Sequence, residues 1–469
     1  MYNAYITRIK NLHKHSNADR LQIGECFGNA VIVSMEYEDN QLGVYFPSDG
    51  QLSVEFAEAN NLLRKKDDAG NNIGGYMDPD KRNVTAIKLR GEKSDGLFLP
   101  LTSLESFGDI ATLAEGDRID NFNGHEICCK YIPLKQNRQG GYSEGNRTRK
   151  KKVPTAPLFA EHADTEQLAY NLAAFKPGDE IEITLKMHGT SQRTGYLPTL
   201  KGYKRTLWDR ITRKEGKPIY DWGYVTGTRR TVLENYDGGY YGDNAFREQH
   251  SKVFEGKLNK GETVYYEVVG FTTTGAPIMG NANNKKLNDR DFVKQYGEET
   301  VFSYGCSPIG ITINEEGDYV SIPQSDIYVY RMTMTNEDGF VVEYTPDFMR
   351  YRCEQMGVKT VPVMWKGKIT PTSNYGELQE YTCWCEGWMS ACGGEEGISD
   401  MVKAIAERFY DGPDPVGKTH IREGVVVRIL NRPKFCAYKH KSWYFKALEG
   451  IVKVEAEAPD MEEAESAEV

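Results

Sequence analysis

The chain contains no run of about 18 apolar residues and no basic N-terminal stretch followed by an apolar one. These absences argue against a membrane-spanning helix and a secretory signal, so we expect a cytoplasmic protein. The composition is that of a soluble globular protein, with 39% hydrophobic residues, 27% charged residues and a mean hydropathy of −0.60. At 469 residues the chain exceeds one typical hydrophobic core, which predicts two to three domains.

An excess of positive charge is also missing, because the formal net charge is −10. Seven acidic residues lie among the last 16 positions, and without them the charge falls to −3. Nucleic-acid binding depends on local basic patches, so this total excludes neither RNA nor DNA as a partner. The tail, residues 451–469, is rich in Ala and Glu, and we expect it to be disordered.

The cysteines lack the C-x2-C spacing of common zinc sites. Nine cysteines without a signal peptide predict reduced thiols. Cys353, Cys383, Cys385 and Cys392 could form a small zinc site, but their spacing does not decide it.

Residues 1–130 contain about five short β-favouring runs separated by turn residues, which predicts a small barrel. Two phrases stand out, HSNADRL at 15–21 and IKLRGEKSDGL at 87–97. They resemble the tRNA-binding OB modules appended to some aminoacyl-tRNA synthetases. The resemblance implies an OB-like domain that contacts RNA, and a purely structural module is the alternative.

Residues 131–165 form a predicted basic, flexible linker, because Gly, Gln and Asn are followed by a run of Arg and Lys. Arg149, Lys150 and Lys151 are candidate RNA contacts in this run. A solvated tether is an equally good interpretation.

Residues 166–450 return to strands with helices between them, which predicts an α+β domain rich in antiparallel sheet. Amphipathic patterns within residues 345–412 predict a helical insertion between two of the strands.

One lysine is placed as a covalent nucleophile would be. In the run EITLKMHG, Ile183 and Leu185 alternate along a strand that ends at Lys186, and Gly189 lets the backbone turn tightly. An amine attacks only when deprotonated, which desolvation or a nearby cation favours. A solvated lysine at a strand end is the alternative interpretation.

Further charged groups are embedded in apolar strands. Glu267 lies within YYEVVG, Glu423 precedes GVVVR, and Lys439 and Lys441 share one strand face. Each segment alone is more often structural. Together with Lys186 they suit nucleotidyl transfer, in which cations neutralise a triphosphate while an amine attacks the α-phosphorus.

Six segments resemble, in order, the motifs of the covalent nucleotidyltransferases. KMHG at 186–189 resembles motif I in the K-x-H-G variant of the RNA ligase 2 type. The others resemble the arginine motif, motif III, motif IIIa, motif IV and motif V, at 226–230, 266–270, 328–330, 423–426 and 439–441. One departure is Arg331, where motif IIIa often has an acidic residue. The OB-like module stands first, as in RNA ligases with an N-terminal OB domain.

The resemblance implies an ATP-dependent RNA ligase that joins 5′-phosphate and 3′-OH ends through lysyl-AMP, with Mg²⁺ or Mn²⁺. It makes Lys186 the nucleophile and Glu423 the metal ligand. It implies nucleotide binding by a further group of residues: His188, Gly189, Arg229, Glu267, Tyr330, Lys439 and Lys441.

The expected partner is RNA, either a nicked duplex or a broken structured RNA such as tRNA, and we expect a monomer without membrane contact. Lys201, Lys204 and Arg205 form a basic loop that is a further candidate RNA contact. Three alternatives remain: a DNA ligase, a capping-type guanylyltransferase and a non-enzymatic tRNA-binding protein.

Overall fold

A computed structural model describes residues 2–66, 72–131, 153–163, 165–206, 208, 216–233, 236, 244–314, 316–369 and 395–455. These residues form a mixed α+β structure in which sheet predominates, so the predicted class is confirmed. No helix within them is long and apolar enough to cross a membrane. The chain divides into two compact units, described separately below: unit 1 is 1–133, 282–300 and 441–459, and unit 2 is 134–281, 301–440 and 460–469.

The first sixteen strands are β1 (Ala4–Arg8), β2 (Lys10–Lys14), β3 (Leu21–Cys26), β4 (Asn29–Ser34), β5 (Leu42–Phe46), β6 (Gly50–Leu52), β7 (Lys65–Lys66), β8 (Asn72–Gly74), β9 (Asn83–Val84), β10 (Ala86–Leu89), β11 (Glu92–Asp95), β12 (Leu97–Pro100), β13 (Arg118–Ile119), β14 (Asn121–Phe122), β15 (His125–Glu126) and β16 (Cys128–Lys130).

The later strands are β17 (Glu166–Gln167), β18 (Glu180–Lys186), β19 (Thr190–Lys204), β20 (Lys217–Gly227), β21 (Glu262–Gly270), β22 (Ala282–Asn283), β23 (Glu299–Thr300), β24 (Ile311–Ile313), β25 (Tyr319–Ser321), β26 (Ser325–Thr335), β27 (Val341–Glu343), β28 (Lys359–Thr360), β29 (Val363–Lys368), β30 (Gly424–Ile429) and β31 (Ala437–Lys441).

The α-helices are α1 (Val54–Ala59), α2 (Ala245–Lys252), α3 (Arg290–Tyr296), α4 (Pro346–Met356), α5 (Glu395–Glu407) and α6 (Trp443–Glu455). Short 3₁₀ turns span Leu101–Phe107, Ile110–Thr112, Leu168–Tyr170, Leu172–Ala174 and Asn284–Leu287.

Unit 1 is built around a four-stranded sheet of order β12-β5-β1-β13, with a three-stranded sheet β2-β3-β4 and several shorter ones. Its core contains Ile6, Val44, Phe46, Phe56 and Leu104, all without exposed surface. The strand pairings among the described residues do not close into one barrel, so the OB-like barrel stays a prediction.

Two late segments, 282–300 and 441–459, group with the N-terminal strands in unit 1, although the residues up to 450 were predicted to belong to the second domain. The reason lies in long-range polar contacts. Asp289, the N-cap of α3, accepts hydrogen bonds from Lys88 at 2.7 Å and from Tyr444 at 3.1 Å. Lys446 of α6 donates to Asp95 at 2.5 Å. Helix α6 also runs to Glu455, past the predicted start of the tail, and residues 456–469 lie outside the described ones.

Unit 2 contains a five-stranded sheet, β17-β31-β30-β18-β29, and a second sheet, β20-β19-β21-β26-β27, with β28 paired to β26. Strand β18 lies between β30 and β29 in the first sheet, and its pairing with β30 places Lys186 opposite Gly424. Ile181 and Ile183 belong to a core that includes residues of α5, and Leu185 is buried as well. Alternation places Lys186 on the opposite face of the strand.

The segment predicted as a helical insertion contributes α4 and α5, and also two strands, since β28 pairs with β26 and β29 pairs with β18. Helix α4 has strong local signals: the Thr345 hydroxyl accepts the Phe348 N–H, Pro346 occupies the first turn, and Gly357 ends the helix at φ 68°. Residues 370–394 lie outside the described ones.

Part of the predicted linker, residues 153–163, is packed within unit 2. Phe159 is buried, and its carbonyl and that of Ala160 accept hydrogen bonds from the buried Arg193 guanidinium. Residues 132–152, with Arg149, Lys150 and Lys151, lie outside the described residues.

Candidate active site

A cleft of ≈ 820 Å³, counting its open mouth, is lined by residues from both sheets of unit 2. Four of the predicted site residues line it: Lys186, Arg229, Glu267 and Tyr330. Its other polar and aromatic lining residues are His162, Thr165, Glu182, Thr184, Arg350, Arg428 and Phe435.

Lys186 and Glu423 form an ion pair at the end of β18. Lys186 Nζ lies 3.0 Å from Glu423 Oε1, and the side chains are 24% and 2% exposed. A buried carboxylate needs compensation by positive charge, and the lysine supplies it from the more exposed position. The predicted nucleophile and the predicted metal-binding carboxylate are therefore in direct contact, although Glu423 does not itself line the cleft.

His188 approaches the same carboxylate from the turn that follows β18. Its Nδ1 lies 3.6 Å from Glu423 Oε2, and its ring packs edge-on against Phe302 at 4.6 Å. The backbone N–H of His188 donates to the hydroxyl of Tyr304 at 2.7 Å. The end of β18 and the turn after it therefore bring two side chains, Lys186 and His188, close to one carboxylate.

Gly189 is required by close packing of the backbone. A Cβ at this position would lie 2.3 Å from the Val268 carbonyl oxygen and 2.9 Å from Glu267 Cγ. Thr190 and Ser191, the first residues of β19, pair with Val268 and Glu267. The glycine thus lets the turn lie against β21, next to the carboxylate of Glu267.

Tyr330 and His162 also line the cleft. The hydroxyls of Tyr330 and Ser191 are 2.9 Å apart, and the rings of Tyr330 and His162 meet edge to face at 5.1 Å. Burial lowers the pKa of His162 well below 6.5, and the charges of Arg229 and Arg331 lower it further, so the ring is neutral. Its Nδ1 then accepts a hydrogen bond from Arg331 at 3.2 Å.

Sequence reasoning missed His162, because it lies in the segment assigned to the linker. The aromatic and aliphatic residues around it in PLFAEHA were the available sign that a packed segment had begun. The departure at Arg331 also has a local explanation, since this arginine forms an ion pair with Glu343 of β27. Arg229 contributes its carbonyl oxygen, which accepts the His162 N–H at 3.4 Å.

The two motif V lysines have different surroundings. Lys439 belongs to unit 2, and it lies opposite Gln167 in the pairing of β31 with β17. Lys441 belongs to unit 1, where its Nζ donates to Glu449 at 2.8 Å and the two side chains are 8% and 9% exposed. Neither residue lines the cleft, so their predicted phosphate contacts stay predictions.

The candidate RNA contacts Lys201, Lys204 and Arg205 are exposed at the end of β19 and do not line the cleft. Lys201 lies across the hairpin, since a Cβ on Gly223 would come within 2.7 Å of its Nζ. Their role also stays a prediction.

The described part of the chain contains no group of three or more His, Cys, Asp or Glu side chains that could hold a metal ion. Cys353 is buried on α4, and burial raises its pKa to about 12. Cys383, Cys385 and Cys392 lie outside the described residues, so the zinc question stays open.

Sequence comparison finds no matching family model and no matching curated protein. Structure comparison finds RNA ligase from Naegleria gruberi in several forms. A mutant with ATP and Mn matches with a TM-score of 0.53 and 16% identity, over 94% of this chain and 98% of the other. A mutant with AMP and Mn and an apo mutant each match with a TM-score of 0.52 and 16% identity, over 94% of this chain and 97% of the other. The chain therefore has the fold of an RNA ligase, as the order of its motifs predicted.

Proposed function

We propose that the protein is an ATP-dependent RNA ligase that uses Lys186 as its nucleophile. The observation that carries the proposal is the position of this lysine at the end of a buried strand, with its amine 3.0 Å from the buried carboxylate of Glu423. Arg229, Glu267 and Tyr330 line the same cleft as Lys186. A shared fold alone would not assign this chemistry, because function depends on the residues of the site.

The reaction comprises three displacements at phosphorus. The neutral amine of Lys186 attacks the α-phosphorus of ATP, forming an N–P bond while the bond to the leaving pyrophosphate breaks. An oxygen of the RNA 5′-phosphate then attacks the same phosphorus, and the lysine leaves. Finally an RNA 3′-OH attacks the 5′-phosphorus, AMP leaves, and the strand is joined.

The donor set fits a hard divalent cation. Mg²⁺ is usually bound by one or two carboxylates together with waters and substrate phosphates, and Glu423 offers such a carboxylate beside the nucleophile. A bound Mg²⁺ or Mn²⁺ would favour the neutral amine and shield charge on the phosphate. Glu267 and Tyr330 would hold the ribose and the base, and Arg229 the sugar or a phosphate.

The roles of the remaining residues are proposed from the motif resemblance. His188 would orient the nucleotide, Gly189 would permit its close approach, and Lys439 and Lys441 would compensate charge on the α-phosphate. The N-terminal residues would form an OB-like domain that contacts RNA. The Naegleria structures with ATP, AMP and Mn support this choice of nucleotide and metal.

Labelled ATP and Mg²⁺ or Mn²⁺ test the proposal. The wild-type protein should acquire one AMP per chain, in a bond that is acid-labile and base-stable as a phosphoramidate is, and Lys186→Ala should acquire none. Parallel reactions with labelled GTP separate an adenylyltransferase from a capping-type guanylyltransferase. Nicked duplexes with RNA or DNA 3′-OH ends separate an RNA ligase from a DNA ligase.

An adduct that persists in Lys186→Ala would contradict the proposal. Absence of any adduct on the wild-type protein, together with tight binding of tRNA, would favour the non-enzymatic alternative. Lys252→Ala is a matched control, because it removes a lysine of α2 whose side chain is 59% exposed and does not line the cleft.

A further inference from the structure

Tyr304 adopts a backbone conformation that its side chain does not favour. The φ angles of Tyr304 and Gly305 are 49° and 79°, and the N–H of Cys306 donates to the Ser303 carbonyl at 2.8 Å to close a tight turn. Positive φ at both central positions favours Asn-Gly, and a bulky residue there is an outlier. The backbone preference of the turn does not explain a tyrosine at this position. We therefore look to the contacts of its side chain.

The main polar contact of Tyr304 is with the backbone beside the nucleophile. Its hydroxyl oxygen accepts the His188 N–H at 2.7 Å, two residues after Lys186. Tyr304 is only 3% exposed, so water does not compete for this hydrogen bond. Burial raises the pKa of Tyr304 well above 10, with the charge of Asp414 as the next contributor, so the phenol stays neutral.

Two neighbouring rings extend this contact to the segment that carries Glu423. His420 has no exposed surface, and its ring lies 4.6 Å from Tyr304 and 5.3 Å from Phe302. Phe302 in turn packs against the His188 ring at 4.6 Å. His420 precedes Glu423 by three residues, so this cluster contacts both chain segments that supply the Lys186–Glu423 pair.

We propose that Tyr304 is a positioning residue for the nucleophile. Its side chain fixes the turn after Lys186 relative to the segment that precedes Glu423. This inference rests on the proposed lysyl-AMP chemistry. Displacement of a reacting group by about 1 Å can reduce a rate about a hundredfold, so a single well-placed hydrogen bond can matter. The strained turn is then a local cost that is offset by orientation of the site.

Two substitutions distinguish the contribution of the Tyr304 hydroxyl from that of the strained turn. Tyr304→Phe keeps the ring and removes the acceptor of the His188 N–H. Tyr304→Asn suits the positive φ and relaxes the turn, but removes the ring contact with His420. Tyr45→Phe is the matched control, because Tyr45 is also fully buried and its hydroxyl donates to the Asp95 carbonyl at 2.8 Å.

The measurement is the single-turnover rate of AMP transfer to Lys186 across a range of ATP concentrations, below the unfolding temperature of each variant. We expect Tyr304→Phe and Tyr304→Asn to lower the maximal rate by about tenfold to a hundredfold, with little change in the ATP concentration for half-maximal rate. Tyr45→Phe should retain the wild-type rate.

A wild-type rate in Tyr304→Phe would overturn the positioning role and leave the proposed function standing. A wild-type rate in Tyr304→Asn would show that neither the ring nor the hydroxyl of Tyr304 is needed. That result would also overturn the positioning role, even where Tyr304→Phe fails to fold. Absence of AMP transfer in the wild-type protein would instead remove the proposed function on which the inference rests.

Discussion

Unit 2 contains two kinds of buried carboxylate, and Glu262 and Glu423 illustrate them. Glu262 is 1% exposed at its side chain and is held by Arg352, with Nη2 at 2.8 Å and Nε at 2.9 Å. The Asn259 N–H donates to it at 2.7 Å. Glu423 is equally buried, but its ion pair is with Lys186, a flexible side chain that is 24% exposed.

The difference shows which buried charges are available for chemistry. A planar guanidinium stays protonated and forms two fixed hydrogen bonds, so the Arg352–Glu262 pair has little freedom to rearrange. A lysine amine is a point donor on a flexible stem that can lose its proton and move to a substrate. We therefore propose that the first pair serves stability and the second serves activity.

The largest expected effect is on stability at the arginine pair. Glu262→Ala leaves the guanidinium of Arg352, which is 11% exposed, without its carboxylate. Loss of one partner of a buried pair typically costs about 3–5 kcal/mol of unfolding free energy. Urea unfolding monitored by circular dichroism measures this loss. The rate of AMP transfer per folded molecule should not change, and a reduced rate would contradict the division between the two pairs.

Glu423→Gln should mainly lower the rate of AMP transfer and have a smaller effect on stability, the reverse of Glu262→Ala. We expect AMP transfer to fall by about 10²- to 10³-fold, because loss of about 3–4 kcal/mol of charge stabilisation has this effect on a rate. The unfolding free energy should change less than in Glu262→Ala. Metal dependence of the single-turnover rate checks the cause, since the variant should need more Mn²⁺ for half-maximal rate. If the wild-type protein and Glu423→Gln need the same Mn²⁺ concentration for half-maximal rate, that result would argue against Glu423 as a metal ligand.

The sequence predicted this contrast only in part. Alternation of Ile181, Ile183 and Leu185 was enough to place Lys186 on the cleft face of a strand, because that pattern is local. The contact between Lys186 and Glu423 depended on pairing of segments more than 200 residues apart, and only the resemblance to known motifs pointed to it. No sequence motif marked His162 or Tyr304. His162 lies in the segment predicted as a linker, where its ring contacts Tyr330. The hydroxyl of Tyr304 contacts a backbone amide, which no side-chain pattern reveals.

The boundary of the second domain was the least predictable feature. The pairing of Lys88 with Asp289, and of Asp95 with Lys446, joins residues that are 201 and 351 positions apart. Such long-range polar contacts leave no periodic signal in the sequence. The amphipathic pattern within residues 345–412 is local, and a helical segment that includes α4 was accordingly predicted there.

A smaller effect is expected at the backbone contact between the turn and β21. Gly189→Ala places a methyl group 2.3 Å from the Val268 carbonyl and 2.9 Å from Glu267 Cγ, so the turn must move away from the carboxylate. Overpacking of this kind costs about 1–3 kcal/mol. We expect a lower unfolding free energy together with a slower AMP transfer, which distinguishes this variant from Glu262→Ala. Gly74→Ala is the control, because its added Cβ would meet no atom within 4 Å.

The smallest effect concerns the pH dependence of the arginine pair. Burial acts to raise the pKa of Glu262, but hydrogen bonds from Arg352 and from the Asn259 N–H outweigh it and hold the pKa below its ordinary value of 4.5. A carboxyl group with a depressed pKa in the folded state contributes stability that is complete above about pH 4.5 and is lost as the pH falls through the folded pKa. The difference in unfolding free energy between the wild-type protein and Glu262→Gln should therefore be largest near neutral pH and should shrink below pH 4.5, because glutamine does not titrate. Urea unfolding of both proteins at matched pH values measures it, and a difference that stays constant into acid would show that Arg352 does not hold this carboxylate in its charged form.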